Sequence, residues 1–267
     1  MIPGVRTIAF VKATACGNDF LLIDSSLVPA RERGEVTRRV CDRHQGVGAD
    51  GVEWMLPHSS SDIEVHLINA DGSEAEISGN GTRCVAAYLF SEQGKEKITI
   101  QTGAGLKTCM LTSRSDWEYE FEMAMGSAEV NKEIVVKTQS AETCGIPVST
   151  GNPHCVIFVE QFPKEWQSLA AEVQRSSQFP HGVNVEFVSV EGKHDLRARF
   201  FERGAGETQS SGTGSCASAA AAISTGRAES AVKVHAPGGT QTVRREGTGF
   251  YLRGPARLLC RGEFFLT

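Results

Sequence analysis

Ser78-Gly-Asn-Gly-Thr-Arg-Cys84, SGNGTRC, and Ser211-Gly-Thr-Gly-Ser-Cys216, SGTGSC, share one outline. Each sets a serine ahead of two glycines one residue apart, and each opens a run that reads as a helix. Such a start leaves backbone N–H groups unpaired. The helix dipole adds about half a positive charge there. Together they suit a carboxylate or a phosphate. Either stretch alone reads most simply as a glycine turn with a serine N-cap. Finding the device twice in one chain raises the question of a duplicated fold.

Working outward, residues 82–93 read as a helix that stops before Gly94, and residues 215–225 as one that stops before Gly226. SCASAAAAIST contains nothing larger than isoleucine and no charge. A helix of small residues all round is buried and closely approached by other backbone. Weaker amphipathic helices are expected at 163–176 and 31–43. Short β-rich runs dominate the rest: 7–11, 20–23, 63–69, 97–101, 119–123, 133–138, 155–159, 183–190 and 196–201. Two buried helices among many strands predict two strand-rich units, each wrapped around its own helix.

An internal repeat points the same way. Gly17-Asn18-Asp19-Phe20 is echoed by Gly151-Asn152-Pro153-His154. Ser78 follows Asn18 by 60 positions, and Ser211 follows Asn152 by 59. Between them, Gly46-Val47-Gly48 matches Gly182-Val183-Asn184. The expected domains are therefore 1–125 and 126–267, joined near 124–132. The boundary is soft, because the later strands of such pairs sometimes cross back to the first copy.

The chain has 267 residues, 40% hydrophobic and 22% charged, with 27 basic against 32 acidic side chains. That balance argues against a nucleic-acid or membrane-surface partner. No run approaches the ~18 apolar residues of a membrane span. The leading stretch MIPGVRTIAFVKATACGNDF lacks a signal peptide's apolar core, so a cytoplasmic location is the expectation. Eight cysteines in such a chain read as free thiols. Cys41-Asp42-Arg43-His44 has no second pair at metal-ligand spacing, so no metal site is expected. Gly46-Val47-Gly48-Ala49-Asp50-Gly51 fits GxGxxG, but no strand leads into it and no clear helix follows.

Polar side chains crowd the approaches to both turns. Asn69-Ala70-Asp71-Gly72-Ser73-Glu74-Ala75-Glu76 leads into the first, and Glu202-Arg203-Gly204-Ala205-Gly206-Glu207-Thr208 into the second. Asn18 and Asn152 each follow a glycine, and Asn184 lies two past Gly182. Singly, each asparagine is a turn residue. As an array with Arg203, which can grip a carboxylate bidentately, they suit a small polar amino acid. Asp71, Glu74 and Glu207 read as structural groups that satisfy turn amides.

The pieces CGNDFLLID (16–24), GVGADGV (46–52), NADGSEAEISGNGTRC (69–84), GNPHCV (151–156), GVNVEF (182–187) and ERGAGETQSSGTGSCASA (202–219) resemble diaminopimelate epimerase. They cover both halves in the family's order. The resemblance implies an α/β (α+β) fold of two pseudo-symmetric domains, each a curled sheet around a central helix, with a cleft between. It implies interconversion of LL- and meso-diaminopimelate without pyridoxal phosphate or metal, on the route to lysine and peptidoglycan, and a possible homodimer. By the same resemblance, Asn18, Asn69, Asn152, Asn184, Glu202 and Arg203 contact the substrate. Backbone groups of Gly79-Asn80 and Gly212-Thr213 cradle its carboxylate or the enolate. His154 assists the acid/base pair, and Glu202 shares that role.

The duplication makes chemical sense, since inverting an α-carbon needs a base on one face and an acid on the other. In the family both groups are cysteines. Here Ser78 and Ser211 stand in those places, while Cys84 and Cys216 lie further along and read as packed. Cys16 stands where the family commonly has leucine. A thiol titrates near ~8.5 and an alcohol behaves more like water, near ~15.7. The alkoxide is therefore roughly 10 kcal/mol harder to form, and a helix terminus returns at most ~2 kcal/mol. Activation by a neighbouring base would help, the candidates being His154, Glu202, Glu76 and His44. Three readings stay open: an epimerase silenced by serine at both reactive sites, a relative with altered chemistry such as a racemase or dehydratase of another amino acid (a hydroxyproline, for example), or an amino-acid binder that does not catalyse.

Overall fold

The computed structural model describes residues 6–266. The chain forms two compact units. One ends at Met123 and resumes at Gly254, and the other runs from Ala124 to Arg253. Residues 1–5 and 267 of the expected domains lie outside the described residues.

The first unit holds β1 (Arg6–Ala15), β2 (Asn18–Asp24), α1 (Arg33–Cys41), β3 (Gly51–Leu56), β4 (Ile63–Asn69), β5 (Glu74–Ala75), α2 (Gly79–Gln93), β6 (Lys97–Thr102), β7 (Gly105–Ser115) and most of β8 (Glu118–Ser127). The second holds β9 (Glu129–Val130), β10 (Ile134–Lys137), β11 (Glu142–Ser149), β12 (Pro153–Phe158), α3 (Trp166–Gln174), β13 (Asn184–Val190), β14 (Asp195–Glu202), β15 (Gly206–Thr208), α4 (Gly212–Ser224), β16 (Ala231–Ala236), β17 (Gly239–Glu246) and the start of β18 (Gly249–Leu266).

The pairing pattern repeats strand for strand. β1–β2 is antiparallel, β2–β3 parallel, β3–β4 antiparallel, β4–β6 parallel and β6–β7 antiparallel. β11–β12, β12–β13, β13–β14, β14–β16 and β16–β17 follow the same sequence of senses. β18 is the exception to a simple division. It begins against β17, with Leu252 opposite Val243, and continues against β1, with Arg257 opposite Thr14 and Leu266 opposite Arg6. It also pairs with β8, closing the first unit's strands into a ring. Residues beyond Gly254, expected in the second domain, thus belong to the first unit, because backbone pairing with β1 holds them there.

Each unit buries one helix inside its curled sheet and carries another outside. Ala217 and Ala219–Ala222 of α4 are fully buried among Val156, Leu196, Phe200, Val234, Val243 and Leu252. Alanine suits this place because it fills little space and favours helix. α2 is buried from Asn80 through Ala87 and ends at Gly94, whose left-handed backbone (φ 68°) donates its N–H to Phe90 O. The outer helices lie over the other faces. α1 covers Val52 and Trp54 of β3, and α3 covers Val185 and Phe187 of β13. β3 and β13 are therefore buried on both faces, which matters for the residues that alternate with these. Among the described residues, no helix is long and apolar enough to cross a membrane.

Candidate active site

In the first unit, Ser78 is the N-cap of α2. Its backbone is extended, and its Oγ accepts the Gly81 N–H at 3.1 Å. Around this helix start runs a chain of side-chain hydrogen bonds. Asn80 Nδ2 donates to Asn18 Oδ1 (2.7 Å), and Asn18 Nδ2 donates to Asp50 Oδ2 (3.0 Å). Arg83, fully buried, donates to Asn80 Oδ1, to Pro255 O (3.3 Å) and to Cys16 Sγ (3.8 Å). Asn18 is delivered by a two-residue hairpin of Cys16 (φ 48°) and Gly17 (φ 86°), both left-handed as a type I′ turn requires. Arg43 bridges Asp19 and Asp50 from outside at 2.8 and 2.7 Å. Burial pushes Asp19 up, but its bonds to Arg43 and Lys12 outweigh this and hold it below the usual carboxylate range.

The second unit repeats the helix start. Ser211 caps α4, its Oγ accepting the Gly214 N–H at 3.1 Å. Here the hydroxyl also donates to Glu202 Oε2 at 3.3 Å, while Thr208 donates to Glu202 Oε1 at 2.6 Å. His154 is 1% exposed. Its Nδ1 lies 2.7 Å from Glu186 Oε1 and its Nε2 3.0 Å from Asn152 Oδ1. Asn184 donates to Pro153 O and accepts the Arg203 backbone N–H at 2.8 Å, which orients the loop that presents Arg203. The exposed Arg203 guanidinium donates to His181 O at 3.0 Å. Gly212 and Thr213 form the half-exposed first turn of α4.

The structure therefore gathers Asn18, Asn80 and Ser78 at one helix start, with Gly79 beside them. It gathers Glu202, Ser211, Gly212 and Thr213 at the other, and His154 and Asn184 on adjoining strands, with Asn152 in the turn just before β12. Asn69 stands apart from these bonds, its amide spent on Ser73 Oγ at 3.0 Å within the β4–β5 turn. Of the candidate bases, Glu202 touches a serine. His44 sits in the exposed turn after α1, its N–H on Asp42, and Glu76 is exposed. Cys84 and Cys216 are buried inside their helices, and burial raises the Cys84 thiol.

Two residues escaped the sequence reading. Phe20 lies opposite Gly51 across β2–β3, and His154 lies opposite Asn184 across β12–β13. Since Phe20 and His154 are equivalent in the repeat, Gly51 matches Asn184 and Glu53 matches Glu186. The earlier match of Gly48 to Asn184 falls three residues short. Glu53 and Glu186 are each 1% exposed. A Cβ on Gly81 would lie 1.8 Å from Glu53 Oε1, and one on Gly214 would lie 2.9 Å from Glu186 Oε1. Each carboxyl thus occupies the space left by the glycine three residues after a capping serine. Burial alone pushes Glu53 up to about 8. Burial also raises Glu186, opposed by His154 and aided by Glu202. The signal was present as Gly51-Val-Glu53 and Asn184-Val-Glu186, two short strand starts with the same third residue.

A diaminopimelate epimerase family model matches residues 10–131 and 146–259. Diaminopimelate epimerase of Desulfitobacterium hafniense is 36% identical over 273 residues, covering 94% of this chain and 96% of that one. Diaminopimelate epimerase 1 of a Nostoc species is 37% identical over 280 residues, covering 96% and 99%. Among solved structures, a phenazine biosynthesis protein of the PhzF family from Bacillus anthracis superposes with a TM-score of 0.74 at 17% identity, covering 96% and 98%. A hydroxyproline epimerase from Agrobacterium vitis with bound trans-4-hydroxy-L-proline gives 0.69 at 16%, covering 98% and 92%. The two solved structures share the fold, while the sequence matches span nearly the whole chain with both serine turns inside them: the chain belongs to the diaminopimelate epimerase family, whose members are isomerases.

Proposed function

We propose that this chain interconverts LL- and meso-diaminopimelate by moving the α-proton between two acid/base groups, one from each unit, with Ser78 and Ser211 at the two positions. The observation that carries this reading is the pair of serine-capped helix starts in a chain of this family. Each start offers backbone N–H groups of Gly79-Asn80 or Gly212-Thr213 to a carboxylate that gains enolate character as the proton leaves. Asn18, Asn69, Asn152, Asn184 and Arg203 bind the amino and carboxylate groups. His154 and Glu202 support proton transfer. The reaction as proposed uses no cofactor, and the protein works in the cytoplasm as a homodimer.

On this reading the serines weaken the enzyme. A free alkoxide is roughly 10 kcal/mol dearer than a thiolate. The experiment is NMR of the α-proton of LL-diaminopimelate in deuterated buffer, with this chain and with the Ser78→Cys/Ser211→Cys form. Exchange with inversion at least a hundredfold faster in the double-cysteine form is expected. Absence of exchange in both forms would remove diaminopimelate as the substrate.

A further inference from the structure

Glu53 invites a stronger statement. Its carboxyl is buried beneath the first turn of α2, and Oε1 has no hydrogen-bond partner among the described residues. An unpaired buried acid is a standing cost to the fold, which a leucine at the same place would lessen. Its neighbours across the sheet are Leu22 and Leu67, which offer nothing polar. Its counterpart Glu186 faces a histidine, whereas Glu53 has Phe20 at the equivalent place. The vacant Cβ position of Gly81 lies 1.8 Å from Glu53 Oε1 and 3.3 Å from Ser78 Cβ, so the two side chains come within about 5 Å. A small swing of the glutamate, or one water, spans that gap. Ser78 Oγ already accepts the Gly81 N–H, which leaves its own hydroxyl proton to donate.

We propose that Glu53 is the proton-exchanging partner of Ser78, and that the pair carries the first unit's half of the α-proton transfer. This rests on the reading above that the chain moves a substrate α-proton. In one direction the α-carbon's proton passes to Ser78 Oγ as the hydroxyl proton passes to the Glu53 carboxylate. The products are the substrate carbanion, an intact hydroxyl and a carboxylic acid. In the other direction the carboxylic acid returns its proton to Oγ as the hydroxyl protonates carbon. No free alkoxide forms, so the objection to serine chemistry does not apply to this unit. The carboxyl suits both roles because its protonation midpoint, pushed up to about 8 by burial, lies close to that of a thiol, ~8.5. Its charge reaches Cys84 on α2, a thiol that also feels Arg83 on that helix and Cys16 and Asp19 from the β1–β2 hairpin. Arg83 and Asp19 are already engaged with Asn80 and with Lys12 and Arg43.

The test compares α-proton exchange from LL- and from meso-diaminopimelate in deuterium oxide, for this chain, for Glu53→Gln, and for Glu53→Gln in the Ser78→Cys/Ser211→Cys form. Glu53→Gln is expected to slow exchange from one of the two epimers by about a hundredfold or more, the usual worth of a general acid–base group. Exchange from the other epimer and calorimetric affinity should stay within about threefold. The pH–rate profile for the affected epimer should lose a limb near pH 8. In the double-cysteine form the same substitution should change exchange less than about threefold, which separates proton transfer from damage to the fold. Equal rates and equal pH profiles with Glu and Gln at position 53 would overturn the proposal. So would an inert serine chain beside an active double-cysteine form, a result that leaves the epimerase reading intact. If no form exchanges or binds diaminopimelate, the epimerase reading fails and the proposal falls with it.

Discussion

Glu53 also sets a pH signature that is independent of catalysis. In the unfolded chain its carboxyl titrates near ~4.3, whereas in the fold burial raises it to about 8. The folded state therefore holds one more proton between those values. Stability is greatest below the lower value and falls as pH rises through the window. The contribution at stake is a few kcal/mol. Glu53→Gln, which cannot ionise, should abolish that part of the slope and be the more stable form at pH 9. Urea unfolding at pH 5, 7 and 9 checks this, and parallel curves for the two proteins would show that Glu53 is hydrated or paired in the fold. The Glu186 carboxyl, bonded to His154 Nδ1 at 2.7 Å, differs in having a partner for its proton.

At the scale of elements, the capped helix starts depend on what lies beneath them. α2 and α4 each begin with a serine whose Oγ holds the N–H of the third following residue. That residue is glycine in both, because the strand below sends up a carboxyl. At Gly214 an added methyl would meet Phe200 Cδ1 at 2.8 Å and Glu186 Oε1 at 2.9 Å. The ring is packed, and the carboxyl is bonded to His154, so neither yields freely. Gly214→Ala is expected to cost about 1–3 kcal/mol, read as a lower urea midpoint with an unchanged slope. Gly79→Ala, where the methyl meets nothing within 4 Å, should stay within about 0.5 kcal/mol.

At the scale of the whole molecule, β18 makes the chain's end part of its beginning. Residues 257–266 pair with β1 from Thr14 back to Arg6. Ending the chain at Arg253 would open the ring and leave β1 and β8 with unpaired edges, the arrangement that invites aggregation. The truncated protein is expected to lose the slow amide exchange of Ile8, Phe10 and Lys12. Retained protection there would show that β2 alone holds β1 in place. The second unit's buried helix packs on Val156, Leu196, Val234, Val243 and Leu252, all upstream of the cut.

The serine turns, the buried alanine helix, the helix stop at Gly94 and half of the strands were legible in the sequence, because each is local. A cap, a small-residue face and an alternating run are properties of neighbouring residues. The family was legible for the same reason, in contiguous motifs. What stayed hidden was set by contacts distant in sequence. β3 showed no alternation because α1 covers one face and α2 the other. Glu53 therefore carries no local sign of its burial. β18 runs as one strand through Gly254-Pro255 because β17, β1 and β8 supply its partners. By itself the sequence determined two copies of one unit, each with a helix start led by serine. Only the tertiary structure decided that a carboxyl lies under each start, one answered by His154 and one unanswered. Burial is a property of what surrounds a side chain, and the groups around Glu53 come from strands and a helix that the chain brings together only on folding.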